Sequence, residues 1–140
     1  MCSSDLDTLG VLNPDDCYAF CRDMVERYPE LHFDFHAHND YDLAVANVAA
    51  AVKAGVQGIH TTVNGLGERA GNAPLSSVIA VLNDHLKVRN TIVEKSINHV
   101  SRIVETYTGI HIPANEPVVG ENVFTQCAGI HADGDNKDNL

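Results

Sequence analysis

The pattern of apolar and polar positions along the chain predicts helices that alternate with short strands. A first helical segment begins after Asn13 and ends at Tyr28 and Pro29, and its apolar residues recur three and four positions apart. We expect that stripe to face inward; it consists of Cys17, Phe20, Cys21, Met24 and Val25. Asparagine is a favoured residue just before a helix, so Asn13 is expected to cap this one.

Three further helices are predicted by the same spacing. They cover residues 43–54, stopped by Gly55, residues 74–86, and residues 96–107, stopped by Gly109. The third is expected to turn Leu75, Val78, Ile79 and Leu82 inward, and the fourth Ile97, Val100, Ile103, Val104 and Tyr107. The prolines at positions 113 and 117 exclude regular helix over residues 112–117, and the tail of residues 118–140 is expected to be a linker or the start of another subdomain.

Strand-like runs precede these helices at a steady interval. Residues 31–35 and 58–63 are such runs, and Thr8, His36 and Asn64 lie 28 residues apart where a run gives way to a loop. Strands and helices that alternate in this way are typical of βαβ units in a parallel sheet. Eight such units would make a (β/α)8 barrel of roughly 250 residues. With three strand ends, either the sheet is open or the chain is a piece of something larger.

Composition narrows the classes of partner. The chain has 140 residues, is 44% hydrophobic and carries a net charge of −10, which fits one globular domain and disfavours nucleic acid or an anionic membrane as the main partner. No apolar run approaches the roughly 20 residues that span a bilayer. Cys17 and Cys21 are expected to be reduced and buried, because the four cysteines lack disulfide-framework or zinc-site spacing. We expect a soluble, cytoplasmic protein.

The first candidate for chemistry is the pair His36 and His38. Residues two apart on a strand point to the same side, and ligands bind at the carboxyl ends of parallel strands. Two imidazoles side by side at that edge suit one divalent metal ion. The alternative is two solvated or hydrogen-bonded loop histidines, which is the commoner outcome for an isolated pair of this kind.

The second candidate is the glycine-rich run of residues 64–72, NGLGERAGN. Asn72 stands just before a helix, so its side chain could be an N-cap, or its amide oxygen could join the two histidines around a metal ion. Glu68 and Arg69 could form an internal ion pair that shapes the loop, or take part in catalysis. The third candidate is His131, flanked by Gly129 and Gly134, which could be a turn residue or a base.

Taken in order, residues 36–40, 64–72 and 129–134 resemble the 2-isopropylmalate, citramalate and homocitrate synthases, a group of the DRE-TIM metallolyases. The resemblance runs from residue 7 to residue 140 and leaves residues 1–6 outside. It implies an α/β fold: residues 7–110 would be the last three βα units of a (β/α)8 TIM barrel, and residues 111–140 the start of a linker subdomain.

The resemblance also implies roles for particular residues. His36, His38 and Asn72 match metal ligands, for Mn, Mg or Zn; Thr8 matches a threonine that binds the 2-oxo acid, and His131 a histidine expected to move a proton. The supporting loop comprises Asn64, Gly65, Gly67, Glu68, Arg69 and Gly71. No segment matches the family's first strand, which carries an aspartate metal ligand and an arginine.

The implied function is that of a fragment of a metal-dependent acyltransferase, which condenses acetyl-CoA with a 2-oxo acid. 2-Oxoisovalerate is the expected acceptor, as in leucine biosynthesis. Citramalate synthase, with pyruvate as acceptor in isoleucine biosynthesis, and homocitrate synthase are alternatives. A carbon–carbon lyase like HMG-CoA lyase, or a non-catalytic piece, are alternatives of other classes. We expect a homodimer for a full-length protein, and poor solubility with little or no activity for these 140 residues alone.

Overall fold

Three parallel strands form one sheet. A computed structural model of the chain describes the backbone of residues 2–7 and all of residues 10–123. Strand β1 (Cys2–Asp7) pairs with β2 (Phe33–Ala37), which pairs in turn with β3 (Gly58–His60), so the order in the sheet is the order in the chain. Both pairings are parallel, and the β1 register shifts between Ser4 and Asp7. The predicted parallel arrangement is confirmed.

A helix follows each strand, and a fourth helix comes last among the helices of residues 10–123. The helices are α1 (Pro14–Arg27), α2 (Ala44–Ala54), α3 (Leu75–Asp84) and α4 (Ile97–Thr108). The predicted caps are present: the backbone N–H of Asp16 donates to Oδ1 of Asn13 over 2.9 Å, and Gly55 and Gly109 end α2 and α4 in the left-handed conformation. Short 3-10 turns cover Val63–Gly65 and Glu94–Ser96.

The core lies between the helices and one face of the sheet. Strand β2 alternates strictly, because Phe33, Phe35 and Ala37 are buried while the residues between them are only half-buried. The buried face packs against α2, and α2 packs against α1 and α3. Cys17 and Cys21 are buried in this core as reduced thiols, as predicted. The opposite face of β2 therefore carries the polar side chains of Asp34 and His36, and His38 extends the same alternation one residue beyond the strand.

Two predicted apolar faces are only partly buried. On α1, Phe20 stays 42% exposed although its stripe partners at positions 17 and 21 are buried. On α4 the prediction is largely wrong: Ile97 is buried, but Val100, Ile103 and Tyr107 are exposed. The reason is packing, since α4 makes its main contacts with the two short turns Val63–Gly65 and Glu94–Ser96. Helical spacing shows that an apolar face exists but not that a partner covers it.

The sheet is open within the described residues, so the structure is α/β but not a closed barrel. All four predicted helices lie within two residues of their expected ends. Among the helices of the described part, none is long and apolar enough to cross a membrane.

Candidate metal centre

His36 and His38 lie side by side at the carboxyl end of β2. Both are half-buried on the polar face of the strand, and their ring centroids are 5.0 Å apart in an edge-on arrangement. This is the consequence of strand alternation, which places residues two apart on one face. The structure therefore confirms the predicted placement of the two imidazoles, although not their role.

Asn72 is brought next to His38 by backbone pairing between the two loops. The two residues form an isolated antiparallel bridge, and the flanking N–H of Asn39 donates to the carbonyl of Gly71 over 2.9 Å. The N–H of Ala73 donates to the carbonyl of Ala37 over 3.1 Å. Residues opposite each other in an antiparallel pair hold their Cβ atoms about 4.5–5.5 Å apart. Asn72, the third predicted ligand, is thus a direct neighbour of His38.

Two glycines of the loop make room for this arrangement. A Cβ at Gly67 would lie 2.6 Å from Nδ2 of Asn72, so the amide of Asn72 rests directly on that glycine. Gly71 has φ of 86°, and a Cβ there would lie 2.0 Å from the carbonyl oxygen of Gly65. A larger residue at Gly67 would displace the side-chain amide of Asn72, and one at Gly71 would displace the backbone next to Asn72.

Two of the candidate ligand atoms are buried without a hydrogen-bond partner among the residues that the structure describes. They are Nδ1 of His38 and Oδ1 of Asn72, and an unpaired buried polar atom costs about 1–3 kcal/mol. Thr62 and Asn64, in the same loop, also carry one such oxygen each. Within the described ranges, no three His, Cys, Asp or Glu side chains are placed to share a metal ion. A cation here would therefore use the amide of Asn72, and an N/O donor set fits divalent Mn, Mg or Zn.

The structural alternatives for two loop residues are wrong. Asn72 does not cap α3, because the residue at the N-cap position is Pro74 and no side chain caps that helix. Arg69 makes its ion pair with Asp40, and not with its neighbour Glu68: Nε of Arg69 lies 2.8 Å from Oδ1 of Asp40. Asn64 ties the loop to α4, because its Nδ2 donates to the carbonyl of Ser101 over 2.9 Å.

Sequence reasoning did not single out the polar residues around His36. His60 on β3 is in register with His36, and their ring centroids are 5.8 Å apart. Asp34 lies one step earlier on the same face of β2, with Oδ1 2.9 Å from Nε2 of His32 and Oδ2 3.6 Å from Nε2 of His60. Alternation along β2 places Asp34 on the histidine face, which is the signal that could have identified it. Of the other predicted site residues, Thr8 and His131 lie outside the described residues.

Parallel strands with imidazole and amide groups at their carboxyl ends define a class: α/β proteins that bind ligands at that edge of the sheet. Comparison with protein families makes the class specific. The model of the HMGL-like family matches residues 5–104, and the chain belongs to this family, the DRE-TIM metallolyases.

Curated relatives include synthases of three kinds. The chain is 45% identical over 128 residues to a homocitrate synthase of Sulfolobus acidocaldarius, covering 91% of this chain and 27% of the relative. It is 44% identical over 133 residues to a putative (R)-citramalate synthase of Methanopyrus kandleri, covering 94% of this chain and 26% of the relative. A probable 2-isopropylmalate synthase of the same organism is 41% identical over 128 residues, which is 91% of this chain and 26% of the relative. The chain thus spans about a quarter of the length of these relatives.

The solved structures support the fold. An HMG-CoA lyase from Acinetobacter baumannii, in complex with coenzyme A and 3-methylmalate, superposes with a TM-score of 0.71. It is 22% identical, and the match covers 87% of this chain and 42% of that one. At this identity the likeness concerns the fold, which is of the TIM-barrel type.

Proposed function

We propose that this chain carries part of the metal site of a synthase that condenses acetyl-CoA with a 2-oxo acid. The observation that supports the proposal is the convergence of His36, His38 and Asn72, with one buried, unpaired atom on each of the last two. The relatives named as synthases support the same class of reaction. The three βα units would then be the last three of an eight-unit barrel, followed by the linker subdomain.

His36 and His38 would hold a divalent ion through ring nitrogens, and Asn72 through its amide oxygen. Such an ion supplies Lewis acidity toward the carbonyl oxygen of the 2-oxo acid. The loop of residues 64–72 keeps the amide of Asn72 beside His38 through the close approach of Gly67. We propose further that the hydroxyl of Thr8 donates to the substrate carboxylate, and that His131 moves a proton at the reacting carbon of acetyl-CoA.

For the acceptor, we propose 2-oxoisovalerate, which would make the parent protein a 2-isopropylmalate synthase of leucine biosynthesis. We propose that this parent protein works as a homodimer. The three relatives differ by only a few per cent in identity, so pyruvate and the homocitrate synthase acceptor are the competing candidates. Acceptor choice depends on which apolar and polar groups line the pocket.

Titration with Co²⁺, followed by visible absorption, tests the metal site directly. We expect the wild-type chain to bind Co²⁺, and His36→Ala, His38→Ala and Asn72→Ala each to raise the dissociation constant by about tenfold or more. Even changes beside a ligand typically cost 10–100-fold in metal affinity. His99→Ala is the matched control, because this histidine is exposed on α4 and is not one of the candidate ligands. Equal affinity in all five proteins would contradict the proposal and favour a structural role.

The substrate class has its own test. A 2-oxo acid that chelates the bound ion stabilises the loaded protein, so millimolar 2-oxoisovalerate or pyruvate is expected to tighten the apparent affinity for Co²⁺. Isovalerate, which lacks the 2-oxo group, is the matched control and is expected to have no such effect. If neither 2-oxo acid changes the Co²⁺ titration, the assignment to 2-oxo acids fails while the metal site stands.

A further inference from the structure

A two-pronged ion pair joins the loops that carry His38 and Asn72. Arg69 donates from Nε to Oδ1 of Asp40 and from Nη2 to Oδ2, each over 2.8 Å. Asp40 follows His38 by two residues, and Arg69 precedes Asn72 by three. The pair therefore spans 29 positions of sequence and connects the two candidate ligand loops a few residues from the ligands themselves.

The geometry of this pair is more restrictive than that of an ordinary surface ion pair. A guanidinium that faces both oxygens of a carboxylate fixes the distance between the groups and their relative plane. Together with the bridge between His38 and Asn72, it ties the loops together through both backbone and side chains. Asp40 also packs against Gly10, where an added Cβ would lie 2.9 Å from its Oδ2.

Arg69 adopts a backbone conformation that few residues other than glycine adopt, with φ of 56°. Such conformations persist where surrounding contacts over-determine them, and they cluster at functional sites. Exposed ion pairs contribute little to stability, so stability alone is a weak reason to hold an arginine in this conformation. Both oxygens of Asp40 accept bonds from Arg69, which leaves this carboxylate engaged rather than available as a metal ligand.

We infer that Asp40 and Arg69 are positioning residues, which hold His38 and Asn72 at the separation that a shared divalent cation requires. The inference rests on the proposed metal site.

Charge and geometry make opposite predictions for one variant. Arg69→Gln removes a positive charge near the site and leaves Asp40 without its partner, so on charge alone the affinity for a cation rises. If the pair positions the ligands, the same variant loosens the two loops and the affinity falls. We expect the dissociation constant for Co²⁺ to rise about 10–100-fold, which is the effect usual for groups that orient metal ligands.

The experiment compares wild type, Arg69→Gln, Arg69→Lys and Arg102→Gln by Co²⁺ titration, with far-UV circular dichroism as the measure of folding. Arg102→Gln is the matched control, because the Arg102–Glu105 pair has nearly the same exposure, 40% and 18% against 39% and 22% for Arg69 and Asp40. Its affinity for Co²⁺ is expected to be unchanged. Arg69→Lys keeps the charge but not the two-pronged geometry, so a rise of about 3- to 10-fold is expected.

The outcomes separate this inference from the proposed function. If wild type binds Co²⁺ and His36→Ala abolishes binding, but Arg69→Gln binds equally or more tightly, the positioning role is overturned and the metal site remains. If Arg69→Gln does not fold, an unchanged dissociation constant in Arg69→Lys overturns the inference instead. If wild type shows no binding that depends on His36 and His38, the metal site fails and the positioning role fails with it.

Discussion

Replacing Gly67 by alanine tests whether the amide of Asn72 must stay where the structure places it. The added Cβ would lie 2.6 Å from Nδ2 of Asn72, whereas ordinary van der Waals contact begins at 3.4 Å, so the amide has to move by about 0.8 Å. Sites that bind metals tolerate displacements of about 0.5 Å. We therefore expect the dissociation constant for Co²⁺ to rise by about tenfold or more, equivalent to at least about 1.4 kcal/mol.

The free energy of unfolding of Gly67→Ala is expected to equal that of wild type or to be slightly higher. The backbone of Gly67 does not adopt the left-handed conformation, so alanine fits its dihedral angles. Alanine also restricts the unfolded chain, a gain of about 0.4–1 kcal/mol where the native conformation allows it. Loss of metal affinity with an unchanged or higher melting temperature is thus the specific expected result.

The assay is the Co²⁺ titration paired with thermal unfolding in the absence of metal. Ala70→Ser is the matched control, since it adds one heavy atom at an exposed position of the same loop. An affinity for Co²⁺ in Gly67→Ala equal to that of wild type would refute the reasoning, because it would show that the amide of Asn72 is not a ligand.

Three further predictions concern stability, each measured by denaturant unfolding. Phe35→Ala removes a side chain with no exposed surface and is expected to cost about 3–5 kcal/mol, whereas Phe20→Ala, at a position 42% exposed, should cost well under half as much; equal losses would contradict the described core. Asn13→Ala removes the side-chain cap of α1 and should cost about 1 kcal/mol, and no loss would mean that the cap is dispensable. The pKa of Glu105 is lowered, first by the N–H of Ile112 and then by Arg102, so its ionised form stabilises the fold above about pH 4.3. The difference in free energy of unfolding between wild type and Glu105→Gln should therefore shrink as the pH falls below about 4. A difference that grows on acidification would contradict this assignment.

Local sequence signals were sufficient for most of the secondary structure. The Asn13 cap, the glycines at positions 55 and 109 and the apolar spacing between them predict three of the four helices within two residues of their ends. These signals act within a few residues, because a capping hydrogen bond or a left-handed glycine operates inside one turn. The adjacency of His36 and His38 follows from strand alternation for the same reason.

Those local signals do not predict contacts between segments that are distant in the sequence. Arg69 forms its ion pair with Asp40, 29 residues away, and not with the adjacent Glu68, which was one of the two readings that the sequence left open. His60 meets His36 only because β3 pairs with β2 in one particular register. Likewise, the apolar face of α4 was predicted correctly as a pattern and wrongly as a buried surface, because burial depends on what packs there.

The sequence by itself therefore determined the order of strands and helices, the side of β2 on which the histidines stand, and the family resemblance. Only the tertiary structure decided which loop residues meet. It placed Asn72 against His38 through backbone pairing, and it coupled their loops through Asp40 and Arg69. The physical reason is that periodicity describes how one segment presents its side chains. The distance between two segments depends on register and on close backbone approach, as at Gly67 and Gly71.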